Sequence, residues 1–125
     1  MPGNGSPGRN ALTAAAIRVE VLHARGQSPG DEAEENLRLA IEATGVTVEV
    51  TYTEVLSQED ATTKRFLGTP SIRVEGIDVE YGNRPPEEVQ IGTRYYNTPE
   101  GWKPYPHARL IANAILEAHT GQEGG

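Results

Sequence analysis

The sequence predicts an α/β fold: a four-stranded mixed sheet with two main helices on one face, and a short helix and a long aromatic loop elsewhere. Residues 17–53 alternate as strand, helix and strand, which is typical of a βαβ unit with parallel strands. Thr69-Pro70 leads into an alternating strand, and X-Pro is the peptide bond that adopts cis at modest cost. Residues 106–119 carry the apolar stripe of a helix that packs on a sheet.

The first strand and first helix are assigned from periodicity. Apolar residues alternate with polar ones over 17–23, as in a strand with one buried face. Apolar residues at helical spacing follow and stop at Gly45, which suits a helix C-terminus. We expect Ser28 to be the N-cap of this helix, with Asp31 where a capping-box carboxylate would reach back.

The remaining elements follow in the same way. Residues 46–53 alternate as a second strand, and Ser57 is placed to cap a short helix over 58–66. Residues 71–74 and 77–80 read as an antiparallel hairpin. We divide the chain into a flexible tail at 1–14, a single domain at 15–120 and a disordered tail at 121–125.

Two features favour a binding surface over a closed core. In the central strands Arg18, Glu20 and Glu49 fall opposite the apolar residues, so we expect the helices to cover only the apolar face and the polar face to stay partly open. The irregular segment 81–105 is rich in proline and aromatic residues. Either it forms a binding loop or it covers the sheet. A homodimer through the open face is a further possibility.

Composition restricts the function. A net charge of −7 argues against nucleic acid or an anionic membrane as partner. No long apolar run is present, so a cytoplasmic protein is the expectation. The absence of cysteine excludes thiol-disulfide exchange by the chain itself. The three histidines, His23, His107 and His119, lack the spacing of a metal motif, and we expect neither metal nor cofactor.

The order of these elements resembles the thioredoxin-like superfamily over residues 17–119, and within it the small alkylmercury-lyase-related or thioredoxin-like proteins. Residues 68–76, Gly-Thr-Pro-Ser-Ile-Arg-Val-Glu-Gly, closely match that family's middle signature. The family's Cys-Pro-X-Cys-Glu stands here as Ser-Pro-Gly-Asp-Glu at 28–32, and its third cysteine segment as Thr-Arg-Tyr at 93–95. The resemblance implies the fold and a site between Ser28 and Thr69. It does not carry the family's thiol chemistry onto Ser28 and Asp31.

The leading hypothesis is a non-redox binding or accessory module that keeps the groove beside Pro70 for a small molecule or a peptide. Backbone groups beside a cis-proline are expected to be free to pair with an extended ligand. The expected ligand-binding residues come from the helix start, the Thr-Pro corner and the aromatic loop: Ser28, Thr69, Pro70, Ser71, Arg94, Tyr95 and Trp102.

The alternative is an enzyme that works without cysteine, using Ser28 with Asp31 or His23, or a small thiol as co-substrate. A serine nucleophile needs an adjacent base and an oxyanion hole. Ser28 and Asp31 are therefore the catalytic candidates, but a simple helix cap explains every local feature of both residues without further chemistry.

Overall fold

The computed structural model describes residues 16–82 and 89–124, the last two of these by backbone alone. The expected tail at 1–14 and part of the aromatic loop lie outside the described residues. The helices and strands in chain order are β1 (Ile17–Ala24), α1 (Asp31–Thr44), β2 (Val48–Val55), α2 (Gln58–Lys64), β3 (Ser71–Val74), β4 (Ile77–Asp78), β5 (Tyr96–Thr98), β6 (Gly101–Lys103) and α3 (Ala108–Gly124).

The main sheet is four-stranded and mixed, with the strand order β2-β1-β3-β4. β1 pairs in parallel with β2 and antiparallel with β3, and β3 pairs antiparallel with β4. The α/β class, the four-stranded mixed sheet and the three helices are therefore as the sequence predicted.

The main core lies between one face of the sheet and the two long helices. Its buried members come from β1, β3, α1, α3 and the segments beyond β4, and include Val19, Leu37, Ile72, Ile111 and Ile115. α1 and α3 also pack against each other. A second, smaller cluster joins the ends of β1 and β2 to α2 on the other side.

The polar face of the central strands is open, as expected. Arg18 and Glu49 are exposed, and Glu20 is half-buried, where its Oε2 accepts a 2.6 Å hydrogen bond from the Thr53 hydroxyl. Arg18 pairs with Glu75 at 3.0 Å on the surface. Charged side chains lie on this face because α2 covers only the end of the sheet near the Thr69–Pro70 corner.

The start of α1 differs from the prediction. The N-cap is Gly30, at φ 99° and ψ 148°, and no side chain caps the helix. Ser28 and Asp31 therefore do not form a capping box, since Asp31 is the first helical residue. Gly30 adopts a backbone conformation that L-residues rarely reach, which delays the helix by two residues. Acidic side chains in the first turn complement the helix dipole instead.

α2, by contrast, is capped as expected, which separates the roles of two serines. The Ser57 hydroxyl accepts a 3.1 Å hydrogen bond from the Asp60 amide. We predict that Ser57→Ala lowers the free energy of unfolding by about 1 kcal/mol, whereas Ser28→Ala changes it by less than about 0.5 kcal/mol. Urea unfolding of both variants would measure this, and equal losses would contradict the assignment of the cap.

Several other element bounds differ from the prediction, including those of β2 and β4. α2 ends at Lys64, and Arg65 adopts a left-handed conformation at φ 54°. β5 and β6 form an antiparallel hairpin inside the segment that the sequence analysis treated as irregular. α3 continues to Gly124, into the segment predicted to be a disordered tail. Periodicity missed the hairpin because its strands have only three residues each.

Candidate functional site

A small cavity lies where the start of α1 faces the Thr69–Pro70 corner. Four stretches of the chain line it: residues within 27–33, the corner itself, Thr93, and the segment after β6 that contains Pro104 and Tyr105. Its volume is about 180 Å³. Residues far apart in sequence therefore converge on one opening.

Hydrogen bonds to both residues fix the Thr69–Pro70 corner in place. The Thr69–Pro70 peptide bond is cis, as the sequence analysis expected. The Thr69 Oγ1 accepts from the Ala24 amide at 2.8 Å, and the Pro70 carbonyl accepts from the Tyr96 hydroxyl at 2.6 Å. The corner is thus fixed to the end of β1 and to β5.

The Thr69 backbone is also occupied, which corrects the expectation that it would be free for a ligand. Its amide donates to the Gly92 carbonyl at 2.9 Å, and its carbonyl accepts from the Arg94 amide at 2.8 Å. Thr69 and Thr93 thereby form a parallel bridge. The chain's own segment 90–94 takes the place of an extended peptide.

Segment 90–94 also lies against residues 66–68. The Gln90 amide donates to the Phe66 carbonyl at 3.1 Å, and the Gln90 side-chain amide donates to the Leu67 carbonyl at 3.1 Å. A Cβ on Gly68, which has φ 110°, would lie 2.8 Å from the Gly92 carbonyl oxygen. Glycine is required here for close backbone approach.

Arg94 anchors this segment from inside the protein. It is 3% exposed, and its two terminal nitrogens donate to the Asp78 carboxylate at 2.6 and 2.8 Å. Its guanidinium lies 4.2 Å from the centre of the Tyr96 ring. Burial by itself would raise the pKa of Asp78, but hydrogen bonds and charge from Arg94 outweigh burial and lower it. Arg94 is held in a bidentate ion pair.

The predicted ligand-binding residues separate into two groups. Ser28, Thr69 and Pro70 line the cavity. Ser71, Arg94, Tyr95 and Trp102 are not among its lining residues. Ser71 and Arg94 are buried, whereas Tyr95 and Trp102 are 56% and 68% exposed.

Ser28 lacks the partners of an activated nucleophile. His23 uses its Nδ1 to donate to the Gln27 carbonyl at 2.8 Å. In the described part of the chain, no hydrogen bond joins the Ser28 hydroxyl to a histidine or a carboxylate, and Asp31 does not line the cavity. Glu32 lines the same cavity as Ser28 but is not hydrogen-bonded to the Ser28 hydroxyl, so among residues 16–82 and 89–124 no base is in place to activate this serine.

Several lining residues were missed. They are Gln27, Pro29, Gly30, Glu32, Ala33, Thr93, Pro104 and Tyr105. The missed residues between Gln27 and Ala33 line the cavity because α1 starts two residues later than predicted, so the chain before the helix and its first turn lie at the cavity. Tyr105 carried a signal, because the aromatic richness of its segment was visible in the sequence. Thr93 carried a signal only through the family resemblance, since its position at the cavity depends on a bridge to Thr69, which is distant in the chain.

Within residues 16–82 and 89–124, no group of three or more histidine or carboxylate side chains is placed to hold a metal ion. No helix in this part of the chain has the length and apolar character needed to cross a membrane.

In comparisons with known proteins, no family model matches this chain, and no curated protein or solved structure matches it either.

Proposed function

We propose that this protein is a non-redox, thioredoxin-like binding module that holds a small molecule in the cavity between the start of α1 and the Thr69–Pro70 corner. The convergence of Ser28, Thr69 and Pro70 on one cavity carries the proposal. These residues come from two stretches that are far apart in the sequence. The mixed sheet and the placement of the corner opposite α1 support the thioredoxin-like likeness.

A small molecule fits better than a peptide strand. An extended peptide would need the backbone amide and carbonyl of Thr69, and both are already bonded to residues 92 and 94. The Pro70 carbonyl is taken by Tyr96. A peptide could pair there only by displacing segment 90–94, together with its buried Arg94 anchor.

Size and lining indicate the kind of molecule. A volume of about 180 Å³ corresponds to about six water molecules and is below that of pockets for drug-sized ligands. Proline rings and Tyr105 give apolar walls, while Gln27, Ser28 and Thr93 carry polar groups. The Glu32 carboxylate also lines the cavity and disfavours anions. We infer an uncharged ligand with few atoms, in which a short apolar part carries a hydroxyl, amide or thiol.

Titrations followed by amide NMR would test this proposal on the full chain. The probes are ethylene glycol, acetamide and 2-mercaptoethanol, with acetate as the charged counterpart of acetamide. We expect the uncharged probes to shift the amide signals of Ser28, Thr93 and Tyr105, and acetate to shift them less. Shifts scattered over the surface, or absent from these residues, would contradict the proposal.

A pair of leucine variants gives the matched control. Ser28→Leu fills the cavity without removing an internal hydrogen bond, and Thr63→Leu adds the same side chain to an exposed position on α2 outside the lining. We expect Ser28→Leu to weaken binding of the best probe by about tenfold or more, or about 1.4 kcal/mol. Thr63→Leu should leave binding unchanged. Equal effects of the two variants would show that the probe binds elsewhere.

A further inference from the structure

We propose that the outer edge of β2 pairs antiparallel with the same edge of a second copy, joining two four-stranded sheets into one continuous sheet. β2 is eight residues long and forms one edge of the main sheet. At the opposite edge lies β4, which has only two residues. Of the two edge strands of this sheet, as far as the structure describes it, β2 is therefore the longer.

The direction of the backbone groups follows from the pairing with β1. The Thr47 carbonyl accepts a hydrogen bond from the Ile17 amide of β1 at 3.0 Å. The Val55 carbonyl accepts one at 2.8 Å from the amide of Arg25, the residue that follows β1. Because backbone groups alternate in direction along a strand, the odd-numbered residues of β2 face β1. The amides and carbonyls of Val48, Val50, Tyr52 and Glu54 consequently point away from the sheet.

This edge has little of the usual protection against pairing, since Glu49 and Glu54 are the only charged side chains of β2. Natural edge strands are commonly blunted by proline, lysine, a bulge or a covering segment. The sequence of β2, VEVTYTEV, has neither proline nor lysine, and its pairing with β1 is in uninterrupted register. Within the described part of the chain, no second strand pairs with it. Its outward row of backbone groups is a template for another strand.

The side chains of β2 are self-complementary, which favours a second copy as the occupant. In an antiparallel pair centred on Thr51, that residue lies opposite itself across a two-fold axis. Val50 then lies opposite Tyr52, Val48 opposite Glu54, and Glu49 opposite Thr53. No glutamate faces a glutamate, and the β-branched, aromatic and threonine pairs are of the stabilising kind. Each contact is made twice, once on either side of the axis.

Net charge opposes this association at long range. Each chain carries −7, so two copies repel each other at low ionic strength. Screening at about 0.15 M salt, where the Debye length is about 8 Å, reduces the repulsion without weakening backbone hydrogen bonds. We therefore expect the dimer to become tighter as salt is added. An interface built on surface ion pairs would respond in the opposite direction.

Sedimentation velocity of the full chain over a concentration series would test the pairing. Tyr52→Pro removes an outward amide, whereas Tyr52→Val changes the side chain and keeps that amide. We expect the proline variant to raise the dimer dissociation constant by about thirtyfold relative to the valine variant, since two symmetry-related hydrogen bonds are lost. Circular dichroism would confirm that both variants are folded.

A second pair of variants covers the case in which Tyr52→Pro fails to fold. Thr51 is exposed and its backbone faces β1, so substitution leaves the sheet intact. Thr51→Lys places two like charges across the axis and should raise the dissociation constant by about fivefold or more, compared with Thr51→Val. Resistance of the dimer to this lysine alone would overturn the register centred on Thr51. A monomeric wild-type protein at all concentrations, or a dimer unaffected by both tests, would overturn the proposal.

Discussion

Gly68→Ala is expected to lower the free energy of unfolding by about 2–6 kcal/mol. Gly68 has φ 110°, a conformation that costs alanine backbone strain. The added Cβ would also lie 2.8 Å from the Gln90 Nε2 and from the Gly92 carbonyl oxygen, and 2.9 Å from the Arg94 Cβ. Since two of these neighbours belong to backbone or an anchored side chain, segment 90–94 must move.

Chemical denaturation of Gly68→Ala and of a second glycine variant, Gly92→Ala, would separate the steric clash at Gly68 from the general effect of replacing a glycine by alanine. Gly92 belongs to the same contact, but a Cβ on it would meet no atom within 4 Å. We expect Gly92→Ala to change the free energy of unfolding by less than about 0.5 kcal/mol. If Gly68→Ala were equally mild, segment 90–94 could not lie as close to residues 66–68 as the structure has it.

Asp78→Ala is expected to destabilise the protein by about 3–5 kcal/mol, because it removes the carboxylate that accepts both short hydrogen bonds of the buried Arg94 guanidinium and leaves only the longer contact with Glu80, at 3.5 Å. Asp78 Oδ1 also accepts from the amides of Glu80 and Tyr81 at 2.9 Å, so the turn after β4 loses its support as well. Glu42→Ala is the matched control. It removes a carboxylate from the exposed pair with Arg38, which should cost less than about 1 kcal/mol. Denaturant titration at neutral pH would compare the two.

The same pair predicts a pH dependence. The pKa of Asp78 is lower in the folded protein than in the unfolded chain, so its contribution is fully present above the unfolded value of about 3.9. It is lost as the pH falls through the lower folded-state pKa. The difference in stability between wild type and Asp78→Ala should therefore narrow only below about pH 4. A gap that is constant down to the acid transition would show that Asp78 does not act as a charge.

Gly68→Ala and Asp78→Ala both test how segment 90–94 is held on the Thr69–Pro70 corner. Arg94 and Gly68 together hold segment 90–94 on the corner, and this segment occupies the backbone of Thr69. The packing that stabilises the protein is thus also what closes the corner to a peptide strand. The small cavity beside the corner stays open.

Much of the fold could be predicted from local pattern. Alternation along β1 and β2 identified the sheet and its open polar face, where Arg18 and Glu49 are exposed. Gly45 ends α1 in a left-handed conformation, and Ser57 caps α2. These features depend on residues within a few positions of each other, so periodicity and capping preferences are sufficient to find them.

The candidate site was only partly accessible to such reasoning. Ser28, Thr69 and Pro70 were found through the Thr-Pro corner and the helix start. Arg94 and Ser71 were also predicted to bind a ligand, and both are buried and do not line the cavity. Arginine is seldom fully buried unless it is paired. The ion pair with Asp78, sixteen residues earlier in the sequence, offsets the cost of burying the Arg94 charge.

The sequence by itself therefore determined the strands of the main sheet, the three helices and the face that β1 and β2 bury, because those follow from the period of side chains along one chain segment. Tertiary structure alone decided that segment 90–94 forms hydrogen bonds with the backbone amide and carbonyl of Thr69, and that Tyr105 lies at the cavity. Both results depend on long-range contacts, whose partners no local pattern specifies. The N-cap of α1 is Gly30 and not Ser28, and the local pattern likewise did not specify it.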